Sequence, residues 1–486
     1  MKYVKRSISA NLRGGRQSRA THFLFWVLGA LLWCASGSGL ALAGDAAAKV
    51  AAGPMLGHVD IVEATIWLQT RVPARVSIRY RAEGGQSLTS ASVETERETY
   101  HTAHIRLPNL KENTEYSYQV LVDGEEISQS HRFKTQANWK WRRHPPDFRF
   151  ALGSCYFNNE KEFDRDGKPY GDKFHIFDNI AAQKPDFMIW MGDNTYFRES
   201  DFFSVTRLNR RMARDRGMPF LQKLLASTAH YATWDDHDFG PDDGDRSYQL
   251  KDETLRMFKL YWANPAYGLP EAKGVFGKFE WADCEFFLLD DRYHRAPHRD
   301  PDPDKPYLGP VQLQWLKDQL ITSRATFKFI VNGNQVVNTY SRHESYHLYR
   351  TEHQNLMNWL NDHAVEGVVF LSGDRHYSEL LKMERPGSYP LYEFTSSPLT
   401  SGTIYGMGDE ADNHMRVPGA LLTDDRNFGI VEITGEGQKN RVLTFKSYDS
   451  EGKLRFEHQV KRSDLEIKKR KRMPPKFPSI PKKKKK

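Results

Sequence analysis

The chain has 486 residues, more than one ordinary hydrophobic core accommodates, so two or three domains are expected. Its formal charge of +8 divides into +6 on residues 1–43, +11 on residues 461–486 and −9 between them. An acidic body between two basic ends excludes a nucleic-acid-binding domain, and no specific nucleic-acid binding is expected.

Taken from the start, residues 1–22 carry Lys2, Lys5, Arg6, Arg13, Arg16 and Arg19 and no acid. An apolar run at 23–33 follows, then Ala41-Leu42-Ala43 as a small-residue cleavage site. This is the layout of an export signal over residues 1–43, which makes the mature chain periplasmic or secreted. A retained anchor is the alternative, although the run is shorter than the roughly 20 residues that span a bilayer. From 53 to 136 short segments alternate polar and apolar residues, as in Arg75-Val76-Ser77-Ile78-Arg79-Tyr80, and Asp123-Gly124 supplies a hairpin turn. The segment predicts a small β-sandwich of fibronectin type III-like character, with 137–147 as its connection to a larger second domain.

Between 148 and 460 strand-like and helix-like stretches alternate. Helices are predicted over 173–182, 203–227, 310–323 and 352–363, and strands over 187–191, 286–289, 327–331, 368–371, 391–394, 429–433, 442–445 and 454–458. Strands apolar on both faces demand cover on both sides, so a two-sheet core flanked by helices is the expected architecture. The last residues, 461–486, combine Lys/Arg clusters with Pro474, Pro475, Pro478 and Pro481, the composition of a disordered tail. Such a tail either aids solubility or tethers the protein to an anionic envelope or membrane surface.

Four polar clusters each directly follow an apolar run: Gly153-Ser154-Cys155, Gly192-Asp193-Asn194-Thr195-Tyr196, Trp234-Asp235-Asp236-His237-Asp238 and Gly373-Asp374-Arg375-His376. Thiol, carboxylate, phenol and imidazole are metal-ligand types, and ligands of open sheets gather beyond the carboxyl ends of strands. Two cations bridged by a carboxylate can clamp a phosphoryl group and supply the nucleophile at neutral pH. Asp193 is the expected bridge. Cys155, Tyr196 and His376 complete one ion's shell, and a phenolate there suits Fe(III). Asp236 and Asp374, with Asn334 as a further oxygen donor, form an oxygen-rich set that favours Ca2+, with Mn2+, Mg2+ or Zn2+ as alternatives. His237 is then free to act as general acid. Besides Cys155 the mature chain has only Cys284, which leaves ligation, a disulfide and an inert thiol all open for Cys155.

The order Gly-Ser-Cys, Gly-Asp-x-x-Tyr, Trp-Asp-Asp-His-Asp, Gly-Asp-x-His, joined by Leu289-Asp290-Asp291-Arg292 and Gly333-Asn334-Gln335, resembles the alkaline phosphatase D (PhoD-like) branch of the calcineurin-like metallophosphoesterases. The resemblance spans roughly residues 148–458. It implies a four-layer αββα sandwich behind the N-terminal β-domain, a dinuclear or larger metal centre, and hydrolysis of phosphate esters. Arg292 is expected to clamp the substrate phosphate, or else to pair with Asp290 or Asp291. Two other readings stand beside this one. The first is a phospholipase D-type diesterase acting on lipid head groups; the second is a non-catalytic envelope-binding protein.

Overall fold

Alternation along two adjacent strands sets the layering of the molecule. In Phe148–Gly153 and Phe187–Met191, residues Phe148, Phe150, Leu152, Phe187, Ile189 and Met191 point one way, while Ala151, Met188 and Trp190 point the other. The first set meets a second sheet. Phe150 lies edge-on to Phe286 at 5.2 Å and to Phe329 at 5.4 Å between ring centroids, and Phe394 meets Phe445 at 5.4 Å. The other set is covered by the helices Ile176–Ala182, Pro219–Ser227 and Lys251–Tyr261. The helices Pro310–Thr322 and Arg350–Asp362 bury Leu316, Leu320, Leu356 and Leu360 in the core shared with the second sheet. The result is the expected four-layer αββα sandwich. The computed structural model describes residues 43–467 except 128, 342, 405 and 406, so residues 1–42, where an export signal is expected, and most of the basic tail lie outside the described residues.

The first sheet is a six-stranded mixed sheet. Its parallel trio Ala229–Thr233, Phe187–Met191 and Phe148–Gly153 continues through the antiparallel strands Asn427–Thr434, Val442–Asp449 and Leu454–Lys461. The second has seven strands, four of them in parallel succession: Cys284–Leu288, Phe327–Val331, Val368–Ser372 and Leu391–Thr395. The parallel strands of both sheets therefore send their C-terminal loops to one edge of the sandwich. Backbone bonds knit those loops together. Gly373 N–H donates to Gly333 O at 2.8 Å, Leu399 N–H to Ser154 O at 2.8 Å, and Tyr156 N–H to Asp193 O at 2.9 Å.

The N-terminal region forms two small sheets, one of Val50–Val59, Ala64–Thr70 and Thr102–Leu107, the other centred on Arg75–Ala82 and Glu115–Val122. Asp123 and Gly124 make the expected two-residue turn, both at positive φ, with Val122 opposite Glu125. This sandwich is bonded to the larger domain rather than hung from it. Trp67 donates its indole N–H to Leu260 O at 2.7 Å, Tyr118 its hydroxyl to Ala226 O at 2.8 Å, and Gln69 its amide to Tyr261 at 2.9 Å.

One helical prediction is revised and one helix is added. Residues 203–227 form two helices, Val205–Arg216 and Pro219–Ser227, because Gly217 ends the first and Pro219 opens the second at its first turn. Lys251–Tyr261, for which no element was predicted, is an amphipathic helix burying Thr254, Leu255, Met257, Phe258 and Tyr261.

Candidate metal centre

Cys155, Asp193, Asp374 and His376 all adopt left-handed backbone conformations, with φ of 59°, 54°, 66° and 58°. Each such non-glycine residue costs on the order of 1 kcal/mol or more, and such strain concentrates where loops must aim side chains. Two glycines permit the crowding. A Cβ on Gly192 would lie 2.5 Å from that of Asp235, and one on Gly373 would lie 2.4 Å from the Ser154 hydroxyl.

The aimed side chains converge. Ligand-type atoms of Cys155, Asp193 and His376 lie within 4.8 Å of one another, as do those of Asp193, Asp236 and His237. Asp193 belongs to both groups, the position that a bridging carboxylate requires. Its Oδ2 accepts the Tyr196 hydroxyl at 2.9 Å and faces the Cys155 sulfur at 3.4 Å. Tyr196 also lies 3.5 Å from His376 Nε2. The other ring nitrogen of His376, Nδ1, sits 2.6 Å from Gly402 O; donation there leaves the Nε2 lone pair facing the cluster. Tyr170, whose hydroxyl is 3.1 Å from the same Nδ1, closes the far side of the imidazole. Asp374 lines the cleft beside His376, its backbone carbonyl 3.7 Å from the Cys155 sulfur. His237 stacks on the Tyr196 ring at 4.2 Å between centroids and is partly exposed.

The electrostatics fit a cation at this place. Burial, then the negative charges of Cys155, Asp236, Asp238 and Asp374, push the Asp193 carboxyl far above the usual range. Burial likewise raises Asp374 to about 7 and the Cys155 thiol to about 11. Asp193 Oδ1 and Asp374 Oδ2 are buried without a hydrogen-bond donor. Acids forced together with unused oxygens are what a bound metal ion relieves, and the donor types match those of the expected ligand set. Cys155 and Cys284 are both free, which removes the disulfide from the alternatives.

Two predicted site residues fall outside this arrangement, and the geometry corrects both. Arg292 does not face the cleft. It is fully buried, with Nε on Asp235 Oδ1 at 2.6 Å, Nη1 on Glu344 Oε1 at 2.8 Å and on Gly244 O, and Nη2 on Glu344 Oε2 at 2.6 Å and on Asp235. With its guanidinium fully engaged it is a structural counter-ion; its Nε also pairs with the neighbouring Asp291 at 3.9 Å, as the alternative reading expected, while Asp290 accepts its backbone N–H. Asn334 points its carboxamide oxygen at Arg295 Nη1, 2.7 Å, and Tyr307, 3.1 Å, while its NH2 bonds Asp235 Oδ2 at 2.9 Å. Its oxygen is therefore spent away from the cluster. Conversely, Glu344 was not foreseen. It lies in an irregular loop without a motif, and with Asp235 and Asp236 it forms a third acidic group.

The ligand cluster floors a cleft of about 940 Å³ whose outer wall is built from residues 157–170 and 196–202. Arg165, Arg198 and Arg375 line it; Arg165 is turned to Glu199 and Arg198 to Asp164, so Arg375, next to Asp374, is the guanidinium beside the cluster. Glu410 holds this side chain at 2.6 Å and Tyr377 at 3.3 Å, which leaves Nη1 at 3.8 Å from Asp374 Oδ2.

Comparison with known proteins agrees with this geometry. The family model described as PhoD-like phosphatase matches residues 150–444, and one described as a domain of unknown function (DUF7800) matches residues 47–138. Among solved structures, that of PhoD superposes with a TM-score of 0.68 at 16% identity, covering 85% of this chain and 92% of its own. A purple acid phosphatase, PPD1 from yellow lupin (Lupinus luteus) seeds, gives 0.56 at 12% identity, covering 85% and 75%. At these identities the superpositions speak for the fold. No curated protein matches the chain.

Proposed function

We propose, from the premise that this chain belongs to the PhoD-like phosphatase family, a specific division of labour for a metal-dependent phosphoric ester hydrolase. The carrying observation is the pair of buried, unbonded carboxylate oxygens on Asp193 and Asp374, set beside a thiol, a phenol and an imidazole at the floor of an open cleft. Asp193, with Cys155, Tyr196 and His376, would hold one cation, assigned as Fe(III), and Asp193, with Asp236 and Asp374, would hold a second, assigned as Ca2+ with Mn2+, Mg2+ or Zn2+ as substitutes. Bound cations supply Lewis acidity toward the phosphoryl oxygens and an activated water at neutral pH.

The chain's own groups do the rest. Arg375 takes the phosphate-binding role first expected of Arg292, since its guanidinium borders the cleft and is fixed in direction by Glu410 and Tyr377. His237 donates a proton to the departing alkoxide; its ring rests on Tyr196 at the cleft wall, with Asp242 3.6 Å from Nε2. A cleft of about 940 Å³ exceeds the needs of a phosphate alone. That room, lined by Phe157, Phe163, Tyr170 and Phe202, supports a phosphodiester carrying a sizeable organic group over a small monoester. The charge layout of residues 1–43 supports export to the periplasm or beyond.

The test is to compare turnover of a chromogenic monoester, a nucleotide diester and a phospholipid by protein purified without chelator, with elemental analysis of the same sample. We expect bound iron and a divalent ion, fastest hydrolysis of the diester, and loss of turnover on chelation. Metal-free protein with undiminished turnover, or a monoester preference, would overturn the assignment.

A further inference from the structure

Asp374 and Arg375 are adjacent in the chain, carry opposite charges and both line the cleft, yet their side chains do not bond. The nearest approach is 3.8 Å, from Arg375 Nη1 to Asp374 Oδ2, and that oxygen is buried without a donor. A guanidinium beside an unsatisfied carboxylate normally closes such a gap, because a charge-assisted hydrogen bond forms at about 2.7–2.9 Å. Here the arginine is held back.

Glu410 holds it. Its Oε1 accepts Arg375 Nη2 at 2.6 Å, and its Oε2 accepts the Tyr377 hydroxyl at 2.9 Å. Arg375 Nε donates to the same Tyr377 oxygen at 3.3 Å. Arginine, tyrosine and glutamate thus close a ring that engages Nε and Nη2 and leaves only Nη1 toward Asp374. Glu410 is buried and braced from behind. Asn338 donates its amide to Oε2 at 3.1 Å, and Arg416 bonds the carbonyls of Glu410 at 2.8 Å and Ala411 at 2.9 Å. Arg416 is itself anchored by Glu379 Oε2 at 2.8 Å, and the other oxygen of Glu379 accepts Gln335 Nε2 at 2.8 Å. Glu379 and Gln335 are fully buried, so the brace runs into the core.

Two carboxylates therefore compete for one guanidinium, and the fold awards it to Glu410. We infer that Glu410 is a positioning residue for cation binding: by engaging Arg375 it keeps Asp374 Oδ2 open to a hard divalent cation. This rests on the reading of Asp374 as a ligand of the second ion and extends it to a side chain none of whose bonds goes to an expected ligand. Without the Glu410 charge, the guanidinium is expected to close on Asp374 and take the oxygen that the ion needs. Partners one step removed from a metal typically change its affinity about 10–100-fold.

Mn2+ is the probe, titrated into the full chain freed of divalent ions, with the free ion read by electron paramagnetic resonance. Asp374→Asn marks the part of the binding that depends on that carboxylate. We expect Glu410→Gln, which keeps the size and loses the charge, to weaken that part about tenfold with an unchanged circular dichroism spectrum. Adding Arg375→Gln to the same chain should restore the affinity to that of Arg375→Gln alone, because the competitor is then gone. Equal affinity of Glu410→Gln and the unmodified chain would overturn the inference. So would a loss that Arg375→Gln fails to repair, the mark of disturbed packing. If Asp374→Asn leaves Mn2+ binding unchanged, or the unmodified chain binds none, the ligand assignment itself falls and the inference with it.

Discussion

At the outer end of the acidic pocket Asp193 and Asp374 each keep a buried carboxylate oxygen without a donor, whereas at the inner end Asp235 and Glu344 receive guanidinium nitrogens from Arg292 and Arg295. The two ends are neighbours, Asp236 belonging to an acidic group at each. At the inner end the fold carries its own cations, and the acids become girders joining the turn after strand Ala229–Thr233 to the loop around Glu344. At the outer end Arg375 stands 3.8 Å from Asp374 without a hydrogen bond to it, no side-chain cation pairs with Asp193 among the described residues, and the remaining charge is left for ions from solution. Acidity alone does not mark a metal site; acidity left uncompensated by the chain itself does.

The largest effect should come from breaking the outer end. Asp193→Asn is expected to lower turnover of a chromogenic phosphodiester by about 10³-fold or more and to reduce bound metal, with an unchanged circular dichroism spectrum. A variant retaining both metal and rate would remove Asp193 as the bridge. At the inner end the effect should move from activity to stability. Arg292→Met leaves buried Asp235 without its counter-ion and Glu344 with Arg295 alone, and we expect a loss of about 3–5 kcal/mol in urea unfolding. Arg292→Lys should recover only part of this, because an ammonium cannot span both acids as a planar fork does. A loss of a few tenths would mean that the guanidinium is not the counter-ion.

The smallest effect belongs to His230, which handles burial with no charge at all. Its Nδ1 accepts the Trp190 indole N–H at 2.9 Å and its Nε2 faces Leu224 O at 3.2 Å, while burial lowers its pKa to about 3. The unfolded chain protonates this residue near pH 6.5 and the native state does not until far lower. The stability it contributes is therefore complete above pH 6.5 and falls by about 1.4 kcal/mol per unit below that, or about 2 kcal/mol by pH 5. His230→Gln should flatten that slope in unfolding measurements between pH 7 and pH 5; an unaltered slope would place the proton uptake elsewhere.

Strand ends are where the amino-acid sequence was most readable. Cys155, Asp193, Tyr196, Asp236, His237, Asp374 and His376 each stand within five residues of the strand that delivers them, so an apolar run followed by a polar cluster was enough to place them at one edge of the sandwich. Arg292 and Asn334 also follow strands, yet their orientation is decided by Asp235, Glu344 and Arg295, from 39 to 99 residues away. No local pattern encodes which way a polar side chain turns once two sheets have met. The divided helix at 203–227 is a different lesson, since Gly217 and Pro219 were stop and start signals in plain view, outweighed by the apolar periodicity around them.

Strand Phe148–Gly153, which delivers Cys155, lies between Phe187–Met191 and Asn427–Thr434, with Phe148 opposite Ile433. One neighbour is thus made soon after it and the other almost 300 positions later. Until the closing meander emerges during synthesis, that edge stays unpaired and the thiol loop is open on one side. A nascent chain of this topology is slow to complete and prone to aggregate meanwhile, as high contact order dictates. Competence therefore waits on that meander, and truncation ahead of position 434 is expected to forfeit it.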